Sequence, residues 1–307
     1  ANPYYWADGL LRVDRIVYRV IADGSTRLAA IRTGDVDVAN RLTPDQVTAL
    51  EGEEDVEVVQ YLNDRVYYVG FKNMGAGEGT PIENRLVRQA LNYGLDRFGI
   101  NQAIFSGQAN AAPGFVVEGN LGYDADAMQP FSYDPDRARE LLAEAGYPDG
   151  FEISMGCPAD GYVNINEVCQ AIASSLGQIG VDVEVDFQTT NAYWSEPNYA
   201  VTGPMYVDSW SSEFGEAIPR LDGALTPGNY YNTWEDERIA NLILLTHGLP
   251  GGSLRRSDGT GADHLQECVF NGIIDPQSAK SDAARLAVVQ EATPTGVTRD
   301  IMLLAHQ

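Results

Sequence analysis

The most constraining feature of the sequence is an alternation of strand and helix patterns between residues 151 and 187. FEISMG, beginning at Phe151, and VDVEVDF, ending at Phe187, have strand patterns, and NINEVCQAIASSLGQIG between them has a helical one. Asn164 and Glu167 are spaced as a capping box at the start of that helix. Two strands joined by a helix usually pair in parallel through a right-handed crossover. The sequence therefore predicts an α/β fold with mostly parallel sheets.

Further helices and strands are predicted outside this unit. Asp134 would cap a helix that Gly146 ends, and Thr43 with Gln46 has the spacing of another capping box. A short helix that Ser25 would cap lies between two strand patterns. The predicted strands cover residues 13–23, 35–39, 56–62 and 65–73, and a longer helix covers residues 83–97.

Residues 75–81, GAGEGTP, are the clearest candidate for a linker or hinge in the first half of the chain. Glycines between a strand and a helix also suggest a phosphate-binding loop. Glu78 would face the phosphates, however, and no Gly-Lys-Ser/Thr follows, so the spacing fits neither standard nucleotide fingerprint. We interpret the stretch as a flexible connector.

The charge balance excludes several classes of partner. The chain has 44 acidic and 20 basic residues and a formal charge of −24, so its field repels phosphate backbones and a nucleic-acid partner is not expected. No apolar run is long enough to span a bilayer, and the first residues lack the order of a signal peptide. The three histidines have no partners at zinc-site spacing, so neither a metal site nor a cofactor is predicted.

Two of the three cysteines flank a predicted strand-to-helix loop. Cys157 ends the strand and Cys169 lies in the second turn of the helix, so the loop would lie at the carboxyl edge of a sheet, where open α/β folds bind ligands. A disulfide between the two would fix this loop, and two buried free thiols are the alternative. The spacing is neither that of a C-x-x-C redox pair nor that of a four-ligand metal site.

A second candidate site is MYVDSWSSEFGEAIPR, which begins at Met205. A strand pattern opens here into a loop that contains Asp208, Trp210, Glu213 and Glu216. Tryptophan offers a rigid flat surface, and a carboxylate beside it can bind a ligand ammonium group. A core tryptophan with surface acids is the alternative interpretation.

Nothing in the sequence selects a catalytic site. No G-x-S-x-G elbow is present, and the histidines lie outside any recognisable motif. Paired carboxylates are so common in this acidic chain that they carry little information. A hydrolase that uses an acidic pair on a peptide or glycan, and a module that only binds another protein, therefore stay as rival hypotheses.

Several of these stretches together resemble the extracytoplasmic solute-binding proteins of ABC importers, in the class that carries peptides and nickel complexes (family 5). The resemblance rests on NPYYW, DRIVYRVIADGSTRLAAIRTGDVDV, YYVGFKN, NRLVRQALNYGLDR, YDPDRARELLAEAGYPDGFEI and QIGVDVEV, in this order. It covers residues 1 to about 248 and fades over 250–280, which has the composition of an insertion. Ser281–Ala292 and Ile301–Gln307 look like the helix and strand near the end of such proteins.

The resemblance implies a two-lobed α/β fold of the periplasmic-binding-protein type (type II, cluster C) with an incomplete first lobe, since the chain looks like an interior piece of such a protein. Residues 1–74 would belong to lobe I, residues 75–300 to lobe II, and residues 301–307 to a strand returning to lobe I. The connector at residues 75–81 would then be the place where torsion changes as the lobes close.

The same resemblance implies a non-catalytic solute-binding subunit. It would lie in the periplasm or another extracytoplasmic space and work at the membrane with a permease and an ATPase, its signal peptide being absent from this chain. An oxidising compartment favours the Cys157–Cys169 disulfide over free thiols.

The solute would be held by side chains in the two loops described above. The expected ligand-binding residues are Tyr162, Asn164, Asp208, Trp210 and Glu213. The arginine with which many dipeptide binders hold a carboxylate should fall near residues 160–161 and is missing, so a cationic or amino-bearing solute is favoured over an ordinary dipeptide.

Overall fold

The computed structural model describes residues 15–59, 64–121, 123–126, 129–211, 215, 218–246 and 302–306; for residues 242, 244–246 and 302–306 it describes the backbone alone. The chain separates into two compact units, residues 1–59 and 60–307. Nowhere in the described part is a helix both long and apolar enough to cross a membrane.

The first unit contains two short helices, α1 (Gly24–Arg32) and α2 (Pro44–Thr48). The capping box that begins α2 is confirmed, because Thr43 and Gln46 satisfy each other's backbone N–H groups. Helix α1 is capped by Asp23 rather than by Ser25: the Asp23 carboxylate accepts from the backbone N–H of Thr26 at 2.7 Å.

The strands predicted in this unit are wrong over the residues that the structure describes. Residues 15–23, 35–39 and 56–59 form no strand, and Val17, Tyr18 and Val20 are 68%, 89% and 95% exposed. An alternating pattern yields a strand only where another strand satisfies its backbone groups. The described part of this unit offers none. Residues 60–62 of the last predicted strand lie outside the described residues.

The second unit is built on a mixed sheet. Its elements in chain order are β1 (Val66–Phe71), α3 (Arg85–Gly94), α4 (Arg97–Phe105), β2 (Asn110–Ala111), α5 (Pro135–Glu144), β3 (Phe151–Pro158), α6 (Ile165–Gly177), β4 (Val181–Gln188), α7 (Thr190–Tyr193), β5 (Met205–Trp210), α8 (Ile218–Leu225), α9 (Glu237–Thr246) and β6 (Met302–His306). The described strands lie in the order β2-β6-β1-β5-β3-β4.

The predicted strand–helix–strand unit is confirmed as β3-α6-β4. Strands β3 and β4 are parallel from the Phe151–Val181 pair to the Pro158–Gln188 pair, and β5 is parallel to β3. The expectation of mostly parallel pairing fails on the other side of the sheet, because β1 is antiparallel to both β5 and β6. The fold class, α/β, is confirmed; the direction of β1 depends on pairings distant in sequence.

Three local expectations need correction. The helix predicted over 83–97 is two helices, because Asp96 caps α4 through the backbone N–H of Gly99 at 2.8 Å. Asn164 precedes α6 in the left-handed conformation, with φ 54°, and makes no side-chain cap bond. Its amide instead donates to the Ile104 carbonyl at 3.2 Å, so the predicted capping box with Glu167 does not form.

The boundary between lobes was expected at residue 75, whereas the two compact units divide between residues 59 and 60. Strand β1 lies between these two positions and pairs along its full length with β5 of the second unit. Residues 75–77 and 81–83 form two short 3-10 turns, and Gly77 packs against the end of β1. A Cβ atom on Gly77 would lie 2.1 Å from the Lys72 carbonyl oxygen. The assignment of lobes stays a prediction.

Strand β1 is buried on both faces and divides the core. Tyr67, Val69 and Phe71 pack with α3, α5 and α6, whereas Val66 and Tyr68 pack on the opposite face. That opposite face is rich in aromatic residues; it contains Phe115, Tyr193, Tyr199 and Tyr206.

Candidate functional site

The first loop that the sequence singled out meets the end of β5, where the second candidate stretch begins. Because β3 and β5 are parallel, Pro158 and Trp210 end their strands at the same edge of the sheet. The Tyr162 hydroxyl of the first loop shares its one proton between the Asp208 carboxylate, at 2.8 Å, and the Ser209 carbonyl, at 3.1 Å. This edge, the carboxyl edge of β3 and β5, is our candidate functional site.

A disulfide closes the first loop at its base. The Cys157 and Cys169 sulfurs are bonded, with their Cα atoms 6.5 Å apart, and both residues are fully buried. The bond joins the end of β3 to the second turn of α6, so residues 158–164, Tyr162 included, lie within a closed ring of chain. The backbone freedom of this loop is thereby reduced.

Asp208 lies at the centre of the site and is nearly inaccessible to solvent, at 4% exposure. One carboxylate oxygen accepts from Tyr162 and from the backbone N–H of Ser209, at 2.8 and 2.7 Å. The other accepts from the Tyr199 hydroxyl at 2.5 Å and from the Trp194 indole at 3.2 Å. Burial raises the pKa of Asp208, and these four hydrogen bonds oppose the rise because they favour the charged form.

Four partly exposed aromatic side chains stand around Asp208, and we call Tyr162, Trp194, Trp210 and Tyr231 the aromatic wall. The rings of Tyr162 and Trp194 meet edge to face with centroids 6.0 Å apart, and those of Trp210 and Tyr231 do so at 5.3 Å. Such rings offer flat apolar surface with little conformational freedom to lose on binding.

Two members of the wall, Trp210 and Tyr231, rest on the aromatic core beneath them. Trp210 packs against Phe115, with centroids 6.3 Å apart, and against Gly223, where a Cβ atom would lie 2.4 Å from the indole. Tyr231 contacts Tyr199, whose ring stacks on Tyr206 at 4.0 Å. Trp210 and Tyr231 are therefore supported by the aromatic core cluster, against which Trp194 also packs, whereas Tyr162 packs against the cluster on the opposite face of the sheet.

Arg65 brings a positive charge to this edge, and sequence reasoning missed it. Its guanidinium lies 5.5 Å from the centre of the Tyr162 ring and donates to the Ser209 carbonyl at 3.3 Å and to the Ser211 hydroxyl at 2.9 Å. Nothing local marks this arginine, which directly precedes β1. Only the register of β1 and β5, with Val66 opposite Trp210, brings it to the site.

The predicted site residues are only partly brought together. Tyr162 and Asp208 are in contact, and Trp210 follows Asp208 on the same face of β5. Asn164 bonds to the carbonyl of Ile104 instead of to this group. Glu213 and the neighbouring Glu216 lie outside the described residues. A ligand-binding role for these residues stays a prediction.

Sequence reasoning also missed Trp194 and Tyr199. Both lie between β4 and β5 in a stretch without periodicity, TTNAYWSEPNY, and both donate to Asp208. The only signal there was the density of aromatic residues.

A family model described as bacterial extracellular solute-binding proteins, family 5 middle, matches residues 1–232. Among curated proteins, the glutathione-binding protein GsiB of Escherichia coli (strain K12) is 33% identical over 227 residues. That match covers 73% of this chain and 42% of GsiB, so the chain spans less than half the length of this relative.

Solved structures show the same fold at lower identity. The periplasmic binding protein DppA of Helicobacter pylori, in complex with the peptide STSA, matches with a TM-score of 0.68 at 19% identity. The match covers 94% of this chain and 50% of the DppA chain. A dipeptide-binding protein of Pseudoalteromonas sp. SM9913, in complex with Met-Leu, matches with a TM-score of 0.66 at 22% identity, over 92% of this chain and 51% of its own chain. These matches confirm the predicted periplasmic-binding-protein fold of type II. The chain belongs to the family 5 bacterial extracellular solute-binding proteins.

Proposed function

We propose that this chain is the solute-binding part of an ABC importer subunit that captures a peptide-like or amino-bearing solute without altering it. The observation that carries the proposal is the aromatic wall at the carboxyl edge of β3 and β5, in a chain of this family. Delivery to a membrane permease, driven by a separate ATPase, and a periplasmic location belong to the same proposal.

The wall suits the apolar body of such a solute. Tyr162, Trp194, Trp210 and Tyr231 each keep part of the ring exposed while the rest is fixed by packing. A side chain or peptide plane laid on these rings would lose its water at little cost in protein entropy.

The charged residues Glu213 and Arg65 together suit a solute that carries both a free amino group and a carboxylate. Glu213 follows Trp210 by three residues, and the resemblance assigns to this place the carboxylate that holds a peptide amino group. Arg65 adds positive charge at the same edge. A carboxylate of the solute would be attracted there, so the ordinary dipeptide that the sequence disfavoured is restored as a candidate.

The relatives point to the same class. GsiB is a glutathione-binding protein, and the two solved structures are complexes with short peptides. Each of these ligands carries a free amino group and at least one amide bond. We therefore place small peptides and glutathione first among the solutes to test.

The experiment is a binding panel with the purified chain. Glutathione, Met-Leu, a tetrapeptide, arginine amide and succinate are titrated by calorimetry and by thermal unfolding. We expect saturable binding of at least one amino-bearing probe and none of succinate. A probe at a hundred times its Kd should stabilise the fold by about 2.7 kcal/mol. Tighter binding of succinate than of every amino-bearing probe would refute the charge preference, and no binding at all would refute solute capture.

Two variants locate the binding. Trp210→Ala removes one ring of the wall and should weaken binding at least about tenfold. Phe98→Ala is the matched control, because Phe98 is an aromatic residue that is 73% exposed on α4, outside the wall. Equal affinities of both variants would contradict the assignment of the site.

The same samples separate capture from catalysis. Mass spectrometry of the bound probe should return it unaltered after prolonged incubation. Sustained release of products, abolished by Glu213→Gln with Glu216→Gln, would favour an acidic-pair hydrolase instead.

A further inference from the structure

Asp208 is a buried negative charge that the proposed capture does not use directly. An ionised carboxylate only accepts hydrogen bonds and has about four positions for them. In Asp208 two donors occupy one oxygen and two occupy the other. The Asp208 side chain makes no contact within 4.0 Å with a lysine, arginine or histidine anywhere in the described part of the chain.

Its side-chain donors come from separate segments of the chain. Tyr162 lies in the loop between β3 and α6, Trp194 follows α7, and Tyr199 ends the 3-10 turn at 197–199. These segments approach one another at the end of β5, and the Asp208 carboxylate is an acceptor common to all of them.

The bonds fix ring positions as well as polar atoms. Tyr162 and Trp194 are part of the aromatic wall, and each directs its polar atom inward to Asp208. Tyr199 is buried beneath the wall and supports Tyr231. A rotation of any of these rings would leave a donor or a buried charge unsatisfied, which costs more than the bond itself contributes.

A solute ammonium would have to displace one of these donors in order to reach the carboxylate. The solute would also have to pass the side chains that cover the carboxylate, since Asp208 is only 4% exposed. Direct binding of the solute by Asp208 is therefore disfavoured.

We propose that Asp208 is a positioning residue: its carboxylate holds Tyr162, Trp194 and Tyr199 in the arrangement that the solute contacts, and does not itself bind the solute. This inference rests on the proposed function. It differs from the expectation, drawn from sequence, that Asp208 is a direct ligand, and the experiment below decides between the two.

The test is Asp208→Asn, which keeps the shape and removes one acceptor oxygen. The new amide NH₂ must face either the Ser209 N–H or the Trp194 indole N–H, and neither of these can turn to accept. We expect the partly exposed Trp194 to be the group released, because the backbone of β5 is held by its pairing with β1.

Two measurements are made on the Asp208→Asn variant. The indole ¹⁵N–H resonance of Trp194, assigned with Trp194→Phe, should move upfield and exchange faster with solvent. The affinity for the best-binding peptide of the panel should fall about tenfold. The N-acetylated form of the same peptide should lose the same factor, because a positioning residue acts on the wall and not on the amino group.

Tyr206→Phe is the matched control. It removes one buried hydroxyl from the same core, where Tyr206 bonds to Thr233 at 3.0 Å, and keeps the ring on which Tyr199 stacks. We expect some loss of stability, no change of the Trp194 resonance and no change of affinity.

Several results would overturn the inference. An unchanged Trp194 resonance in Asp208→Asn means that the carboxylate does not hold the ring. A loss of affinity confined to the peptide with the free amino group means that Asp208 binds the solute directly. If the unaltered chain binds no probe, the proposed function fails, whereas the Trp194 resonance still decides whether Asp208 holds the wall.

Discussion

The disulfide at the base of the first loop gives the sharpest prediction for stability. Cys157 and Cys169 are 12 residues apart in sequence, and both are fully buried. Closing a ring of this length in the unfolded chain removes about 3 kcal/mol of conformational free energy by the chain-entropy relation. Reduction should therefore lower the free energy of unfolding by about 3 kcal/mol.

The measurement compares oxidised and reduced protein under urea. Cys268 is replaced by alanine in both samples so that only this pair changes its redox state. Unfolding is followed by circular dichroism with and without a phosphine reductant. Reduction removes no atom heavier than hydrogen from the core, so no cavity forms. The change in unfolding free energy therefore reports the conformational entropy that the bond removes.

Two results would refute this reasoning. A difference in unfolding free energy below about 1 kcal/mol would show that the unfolded chain is not restricted by the bond as the relation assumes. Detection of both thiols in the unfolded Cys268→Ala protein without reductant would show that the pair is not bonded. Reduction should also weaken solute binding, because Tyr162 lies inside the ring that the bond closes.

The remaining predictions concern the support beneath the site. The buried environment lowers the pKa of Lys72 from 10.5 to about 8. The unfolded chain therefore holds a proton between these values that the folded chain has released, and stability rises with pH there. From pH 8 to 9.5 the free energy of unfolding, measured with urea, should rise by about 1.5 kcal/mol more in the unaltered chain than in Lys72→Met. An equal change with pH in the two proteins would contradict this. Gly70→Ala should destabilise the fold by about 1–3 kcal/mol, since its Cβ would lie 2.1 Å from the Tyr206 ring. Gly177→Ala, in α6 with nothing within 4 Å, should be neutral or stabilising by up to about 1 kcal/mol; similar losses in both would refute the packing argument.

Local patterns predicted the elements that depend on local interactions. The Thr43 and Asp134 caps and the β3-α6-β4 unit are confirmed, because helix caps and side-chain periodicity act over a few residues. Residues 15–23 have an equally clear strand pattern and form no strand. The difference lies in partners, which no local pattern specifies.

The site was predictable as far as the topology of parallel strands goes. The sequence placed the loop of Tyr162 at the carboxyl edge of a parallel sheet, and the structure places the end of β5 at the same edge, in contact with Tyr162. The burial of Asp208 did not, because it depends on Trp194 and Tyr199, which lie in an irregular connection. Arg65 was missed for a similar reason: its place depends on the antiparallel pairing of β1 with β5.

The connection that carries Tyr199 shows why such a site resists prediction. Asn198 and Tyr199 both have left-handed backbones, with φ of 58° and 50°, which costs about 1–2 kcal/mol for a residue other than glycine. Lys72 offsets this strain by donating to the Tyr199 and Thr202 carbonyls at 2.5 and 3.1 Å, and the Asn198 amide bonds to the Asn232 carbonyl. Each contact spans 34 or more residues of sequence. The strained turn directs the Tyr199 hydroxyl at Asp208, so the charge at the centre of the site is satisfied only after distant parts of the chain have packed.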